Sequence, residues 1–528
     1  MRAAAVVGAA PTSSVGDRVG PVVTGRDRER SRRRTVSAVG GSGGQVGLGR
    51  RIGDTLRLPT KPGRIVLVVL VVLALAAGAG GAVAVQAPNV LSDLGLVSAA
   101  RSEEDLPAPV PELAGLRADA PVPSSAGLAS VLDPLAASSA LGEFAGVVVD
   151  PAAQPAGGSA PAPLWQQSPE EPLVPGSTGK LLTAAATLLT LDPTDRLVTR
   201  AVAGAEPGQV VLVGGGDPTL TALPEGRTGT YPEPARLDDL VAAVQKAMAG
   251  RQVTSVVIDT SAWTGPVLAP GWDPADIPAG NVTPIVPLML DGGRLDPSLQ
   301  DGPRTTTPAV DAGETFAQKL GVPSSKVTEG TAPANAKPLG QVYSAPVSSL
   351  VEHLMTTSDN VLAESLARDV ALSRKGDPSF AGASEQVLAA LAQAGFDVTG
   401  ARMVDGSGLS TEDRVPPRLL GALLAAAAAP TSPGEGTEFL RPIVSGLPVA
   451  GGDGTLDDRF ATGTASAGRG VVRAKTGTLT GVSALAGVVT DVDGRLLVFA
   501  LMSNGQSPAT VRPRLDTIAA TLSRCGCR

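Results

Sequence analysis

The chain has 528 residues, enough for two or three domains, and its 43% hydrophobic content can build real cores. An aromatic share of 2% argues against stacking platforms for nucleic acid, and a single histidine with two cysteines excludes a His/Cys metal cage. The net charge of −7 is uneven: residues 1–64 hold 13 Arg and Lys against 4 Asp and Glu, a balance of +9, so the remainder carries −16.

The basic arm, densest at "GRDRERSRRR", reads as a disordered, solvated cytoplasmic tail, with binding to anionic lipid headgroups as the alternative. Residues 65–85, "IVLVVLVVLALAAGAGGAVAV", carry no charge. As a helix they would span roughly 32 Å, the thickness of a hydrocarbon core. Arg50, Arg51, Arg57, Lys61 and Arg64 precede them. The positive-inside rule therefore expects one transmembrane helix in the cell membrane, with the N-terminus cytoplasmic and the rest of the chain outside. A cleaved signal peptide is the competing reading. Residues 86–125, rich in Ala, Pro, Ser and acids, read as a stalk.

Folded sequence is expected from the β-branched run "LGEFAGVVVD" (Leu141–Asp150). A Pro/Ala/Gly loop leads to "LVPGSTGKLLTAAATLL" (Leu173–Leu189), apolar nearly all round and so a buried helix. From about Thr199 the texture changes to short strands ("QVVLVGGGD", "TSVVIDTSAW"), one helix ("RLDDLVAAVQKAMA") and long Pro/Gly loops. This predicts a smaller α/β unit over 199–339. Helical pattern returns at Val347–Met355, Val361–Leu372, Ser384–Ala394 and Arg418–Ala429. The last segment is sheet-like, with Asp493-Gly494 as a hairpin turn, and a final helix is expected over Pro508–Ser523. The terminal "CGC" is too short for ordinary disulfide geometry and reads as a frayed end.

The buried helix opens with chemistry. Ser177 and Lys180 stand three residues apart, on one helix face. A serine hydroxyl needs a base to become a nucleophile. The lone histidine, His353, lies in a helical pattern where a capping or surface role is expected, so lysine is the available base. Its ordinary pKa of about 10.4 must then fall, through desolvation or a neighbouring cation. A second lysine is therefore sought, and among eight in the chain one stands out: Lys475-Thr476-Gly477-Thr478 on a predicted strand. A third element, Ser358-Asp359-Asn360, falls between two predicted helices. S-x-x-K followed by S-D-N and K-T-G is the motif set of penicillin-binding proteins and β-lactamases.

On these motifs, together with "LVGGGDPTL", "SDNVLAE", "DGSGLS" (Asp405–Ser410) and "GGDGTL" (Gly451–Leu456), the chain from about residue 125 resembles the D-alanyl-D-alanine carboxypeptidase/endopeptidases of the penicillin-binding protein 4 type. Gly179 is one departure, standing where that family usually has a larger residue. The resemblance implies an α/β (α+β) fold, with a β-lactamase/transpeptidase-like domain of antiparallel sheet and flanking helices. That domain would comprise 126–198 and 340–528, with 199–339 as a smaller inserted α/β domain. It implies Ser177 as acylated nucleophile, Lys180 as its base and Ser358 in proton transfer. Asn360 would hold the substrate, and Lys475, Thr476, Gly477 and Thr478 would bind its terminal carboxylate. The N–H groups of Ser177 and Thr478 would form the oxyanion hole. No metal or organic cofactor is implied. The expected partners are peptidoglycan stem peptides, β-lactams as covalent inhibitors, and the membrane through one helix; nucleic acid is not among them.

Two rivals stay open. One is a catalytically quiet penicillin-recognising or wall-binding protein. The other, β-lactamase, is disfavoured because the deacylating device E-x-x-x-N after S-D-N cannot exist: no asparagine lies between Asn360 and Asn504. Ser177 and Ser358 are 181 residues apart, which leaves room for the inserted unit.

Overall fold

Along the chain, α1 (Ser125–Ala136) leads into β1 (Glu143–Val149), β2 (Pro163–Gln167) and α2 (Lys180–Thr190). A second group follows: β3 (Arg196–Ala203), β4 (Gln209–Val213), α3 (Leu237–Met248), β5 (Ser255–Asp259), α4 (Pro308–Lys319), β6 (Val327–Glu329) and β7 (Pro338–Pro346). Five helices come next, α5 (Val347–Thr357), α6 (Asn360–Ser373), α7 (Phe380–Gln393), α8 (Pro417–Ala428) and α9 (Arg441–Ser445). The chain closes with β8 (Val472–Leu479), β9 (Val482–Thr490), β10 (Leu496–Asn504) and α10 (Pro508–Ser523). This is a computed structural model, and it describes residues 116–117, 119–153, 161–430 and 437–528.

The first sheet has the order β2-β1-β10-β9-β8 and is antiparallel throughout. The three central strands, β1, β10 and β9, are apolar at almost every position because both faces are covered, and the period of two divides them between two cores. Ala145, Val147, Ala486, Val488, Val498 and Ala500 face the core built with α2 and α5 to α9. Phe144, Val148, Leu485, Val489, Phe499 and Leu501 face the core built with α1 and α10. The Asp493-Gly494 turn joins β9 to β10, with Gly494 at φ 88° and its N–H on Asp491 O at 3.1 Å. Every residue of α2 from Lys180 to Leu188 is buried, as an all-apolar helix requires.

The second sheet is mixed, in the order β6-β5-β4-β3-β7, with β4–β5 and β5–β6 parallel and the other pairs antiparallel. Helices α3 and α4 close its own core. Its strands run from Arg196 to Pro346, a few residues beyond 199–339 at each end, because β3 and β7 pair as far as Arg196 opposite Pro346.

Two expectations need correction. The last residues of the supposed stalk belong to the fold: Ala120 is buried, Ser124 caps α1 through Gly127 N at 3.0 Å, and Leu128, Leu132 and Ala136 recur every four residues into the core under α10. Nor is the C-terminus frayed. Cys525 is buried, the Ser124 N–H donates to Cys527 O at 2.7 Å, and the two cysteines join as a disulfide with Cα atoms 4.9 Å apart. That separation falls within the usual range.

The basic tail, the transmembrane run and most of the stalk lie outside the described residues. Among the described residues no helix is long and apolar enough to cross a membrane.

Candidate active site

Ser177 sits in a 3₁₀ turn, Gly176–Gly179, and the α-helix proper starts at Lys180. With three residues per turn, positions i and i+3 are superposed, so the two side chains meet. Lys180 Nζ donates to Ser177 Oγ at 2.9 Å, Asn360 Oδ1 at 2.5 Å and Ser407 O at 2.7 Å. The lysine is fully buried, while Ser177 is partly open to a cleft of about 860 Å³.

The Ser358-Asp359-Asn360 motif is the junction of two helices. Ser358 ends α5 in the left-handed conformation, φ 62°, which is costly for a residue with a Cβ and clusters at functional sites. The bend leaves its Oγ accepting from Lys475 Nζ at 2.8 Å. Asp359 caps α6 through Leu362 N at 3.1 Å. Its other oxygen accepts from Arg294 at 2.7 Å and Tyr231 at 2.9 Å, with Arg304 at 3.7 Å. Burial alone would raise the Asp359 carboxyl, but Arg304 and Arg294 hold it far below the usual range. Asn360 is gripped on both sides, its Nδ2 donating to Asn281 O at 3.0 Å.

The third motif lies on β8, the edge strand, whose free side runs against the Ser177 turn. The approach explains Gly477: a Cβ there would stand 2.3 Å from Pro175 O. Thr476 Oγ1 bonds Thr455 Oγ1 at 2.9 Å, which brings the "GGDGTL" segment to the cleft wall. The predicted site residues Ser177, Lys180, Ser358, Asn360, Lys475, Thr476, Gly477 and Thr478 are thus brought to one place.

The electrostatics differ from the expectation. Lys180 is pulled down to about 8 by burial, against the opposing pull of Asp405, Glu364, Asp359 and Asp413. Lys475, also fully buried, is pulled well below the usual lysine value by burial and then by Lys180. So the neighbouring cation depresses Lys475, and desolvation alone does the work on Lys180. The acids around Lys180 limit its fall.

Those carboxylates were not visible as a site in the sequence. The "DGSGLS" segment wraps the Asp405 side chain, which accepts from the N–H groups of Ser407, Gly408 and Ser410 and from Trp272 Nε1 at 2.8 Å. The segment is both a tight turn and part of the cleft wall, since Ser407 O receives Lys180 and Leu409 lines the cleft. Gly408 packs so close that a Cβ would sit 2.0 Å from Gly176 O, and Gly179 meets Gly408 on its other side. Beneath lies Glu364 on α6, bonded to Gly406 N at 2.9 Å and pushed up to about 8 by burial and Asp405. Asp413 is pushed up to about 10 by the same two causes. An acid inside the apolar run "VLAESLARDVAL" was the available signal for Glu364. His353 is neither a cap nor a surface residue: it is half-buried in α5 against the Tyr231 ring, 5.4 Å between centroids. Among the described residues no cluster of three His, Cys, Asp or Glu is placed to hold a metal.

Comparison with known proteins then decides the family. The model of the D-Ala-D-Ala carboxypeptidase 3 (S13) family matches residues 128–305 and 300–525. The chain belongs to this family. Carboxypeptidase Rv3627c of Mycobacterium tuberculosis (strain ATCC 25618 / H37Rv) is 44% identical to this S13 peptidase over 411 residues, 77% of this chain and 86% of the relative. The crystal structure of penicillin binding protein 4 from Haemophilus influenzae matches with a TM-score of 0.58 at 21% identity, covering 74% of this chain and 98% of that one. The same protein complexed with a β-lactam matches with a TM-score of 0.54 at 22% identity over the same shares. These likenesses show the fold, an α+β penicillin-binding, transpeptidase-like one. The protein is a serine-type D-Ala-D-Ala carboxypeptidase, a hydrolase.

Proposed function

We propose that this S13 carboxypeptidase removes the terminal D-Ala from peptidoglycan stem peptides through an acyl-enzyme on Ser177. The reading is carried by one observation: a fully buried amine, Lys180 Nζ, 2.9 Å from a cleft-facing hydroxyl, Ser177 Oγ. Neutral Lys180 takes the Ser177 proton as Oγ attacks the carbonyl of the penultimate D-Ala. The N–H groups of Ser177 and Thr478 receive the developing oxyanion, where one such donor contributes about 3–4 kcal/mol. Ser358, on Lys475, passes a proton to the leaving amine, and water then frees the acyl group. Asn360 keeps Lys180 aimed. The substrate lies along the open edge of β8, beside Lys475, Thr476, Gly477 and Thr478.

A β-lactam offers the same carbonyl in a ring, so it acylates Ser177 and its leaving group stays attached. The segment 199–339 acts as an inserted domain that orients the Ser358-Asp359-Asn360 junction. Residues 65–85 anchor the protein in the cell membrane with the peptidase outside, a reading supported by the uncharged run and the arginines before it.

Release of D-Ala from a synthetic peptide ending in D-Ala-D-Ala tests the proposal. Turnover by the wild type and none by Ser177→Ala is expected. A wild type that binds penicillin covalently without releasing D-Ala is the quiet penicillin-recognising protein instead.

A further inference from the structure

Lys475 was expected to receive the terminal carboxylate of the substrate, but its amine is already engaged. Nζ donates to Ser358 Oγ at 2.8 Å and to Thr476 O at 3.1 Å, is fully buried, and is pushed towards its neutral form by burial and by Lys180. A neutral amine gives a carboxylate little Coulombic attraction. Arg459 lines this end of the cleft but is paired with Asp516, and a second permanent cation comes from a helix that carries none of the motifs.

Arg512 lies in the second turn of α10. Its Nη2 donates to Thr478 Oγ1 at 2.9 Å, which sets the guanidinium beside the last hydroxyl of Lys475-Thr476-Gly477-Thr478. It lines both the catalytic cleft and an adjoining depression of about 580 Å³ walled by residues 478–481 and 505–508. Its Nε is buried with no hydrogen-bond partner. The nearby acid that could have satisfied it is taken: Asp516 accepts Arg459 Nε at 2.9 Å and Nη2 at 2.5 Å. Among the described residues no carboxylate reaches ion-pair distance of Arg512. A half-buried guanidinium without an ion pair is costly to leave alone, and its planar fork, set beside Thr478 through Nη2, suits a carboxylate.

We infer that Arg512 binds the free carboxylate of the leaving D-residue, sharing it with Thr478, and so makes the site selective for chain ends over internal amides. The inference rests on the acyl-enzyme reading above and deepens it. A carboxypeptidase substrate brings the anion that completes Arg512. A leaving residue whose carboxyl is blocked as an amide does not.

The test compares kcat/KM for an acyl-D-Ala-D-Ala peptide with that for its C-terminal amide, in wild type, Arg512→Gln and Arg512→Lys. The wild type should prefer the acid. Arg512→Gln should lose about ten- to a hundred-fold on the acid, as expected for a hydrogen bond to a charged group, and leave the amide unchanged. Arg512→Lys should restore part of the preference. Equal losses on both substrates, or an acid-to-amide ratio unchanged in Arg512→Gln, overturn the assignment while Ser177 chemistry stands. A wild type that hydrolyses neither substrate and acquires no label on Ser177 defeats the acyl-enzyme reading and this assignment with it.

Discussion

The two sheets reach the same cleft by different means. The first carries the reacting groups on elements fixed by apolar packing: α2 is buried from Lys180 to Leu188, and β8 lies against β9 through Lys475 opposite Ala486. The segment built around the second sheet reaches the cleft through charges and hydrogen bonds. Arg294, Arg304 and Tyr231 hold Asp359, Asn281 holds Asn360, and Trp272 holds Asp405. Close packing keeps Lys180 dry and so sets its basicity, whereas the polar clamp sets direction. The difference teaches that reactivity and aim are separable here, and each can be damaged with the other left in place.

The sharpest cut falls on the packed side. Lys180→Ala removes the base and should lower the rate of acylation by a β-lactam by about 10²- to 10⁴-fold, measured by stopped-flow fluorescence, with folding retained. In the wild type the same rate should climb as pH rises through about 8, because only the neutral amine accepts the Ser177 proton. A flat profile across that range would break the link between burial and reactivity.

The next largest effect belongs to the clamp. Asp359→Asn strands Arg294 and Arg304 without their anion, and loss of one partner of a buried pair costs about 3–5 kcal/mol in denaturant unfolding. Because the folded-state pKa of Asp359 is depressed, its contribution is present above the unfolded value near 4 and fades as pH falls below it. The variant should therefore lose most of its stability deficit in acid. A variant as stable as wild type at neutral pH would mean the clamp is ornamental.

Glu364→Gln should act least. The Glu364 carboxyl is raised to about 8, so it is mainly protonated at neutral pH and glutamine resembles that form. A raised acid binds its proton more tightly when folded, so wild-type stability declines as pH climbs from about 4.5 to 8. Thermal melts of the variant should show a shallower decline over that window. An unchanged slope would remove Glu364 from the account of the Ser407 loop.

What the sequence revealed was what local spacing encodes. Ser177 and Lys180 are three apart, so their meeting follows from helix geometry. The apolar runs on either side of the Asp493-Gly494 turn, and the turn itself, were legible for the same reason. Tertiary pairings were not. The end of the stalk, Ala120 to Ser124, was not recognised as folded because its place depends on the C-terminal segment, whose Cys527 O receives the Ser124 N–H. The acids that oppose the fall of the Lys180 pKa were not legible, because they come from residues 359 to 413 and meet only in the folded chain. Arg512 carries no motif, and its role depends on which acid Arg459 has already claimed.

Mass mapping after incubation with benzylpenicillin tests the heart of the account, a serine made nucleophilic by a desiccated lysine. One penicilloyl group should appear on the peptide containing Ser177, accumulate faster as pH approaches and passes about 8, and be absent from Ser177→Ala. An adduct on any other residue, or one that persists in Ser177→Ala, contradicts it.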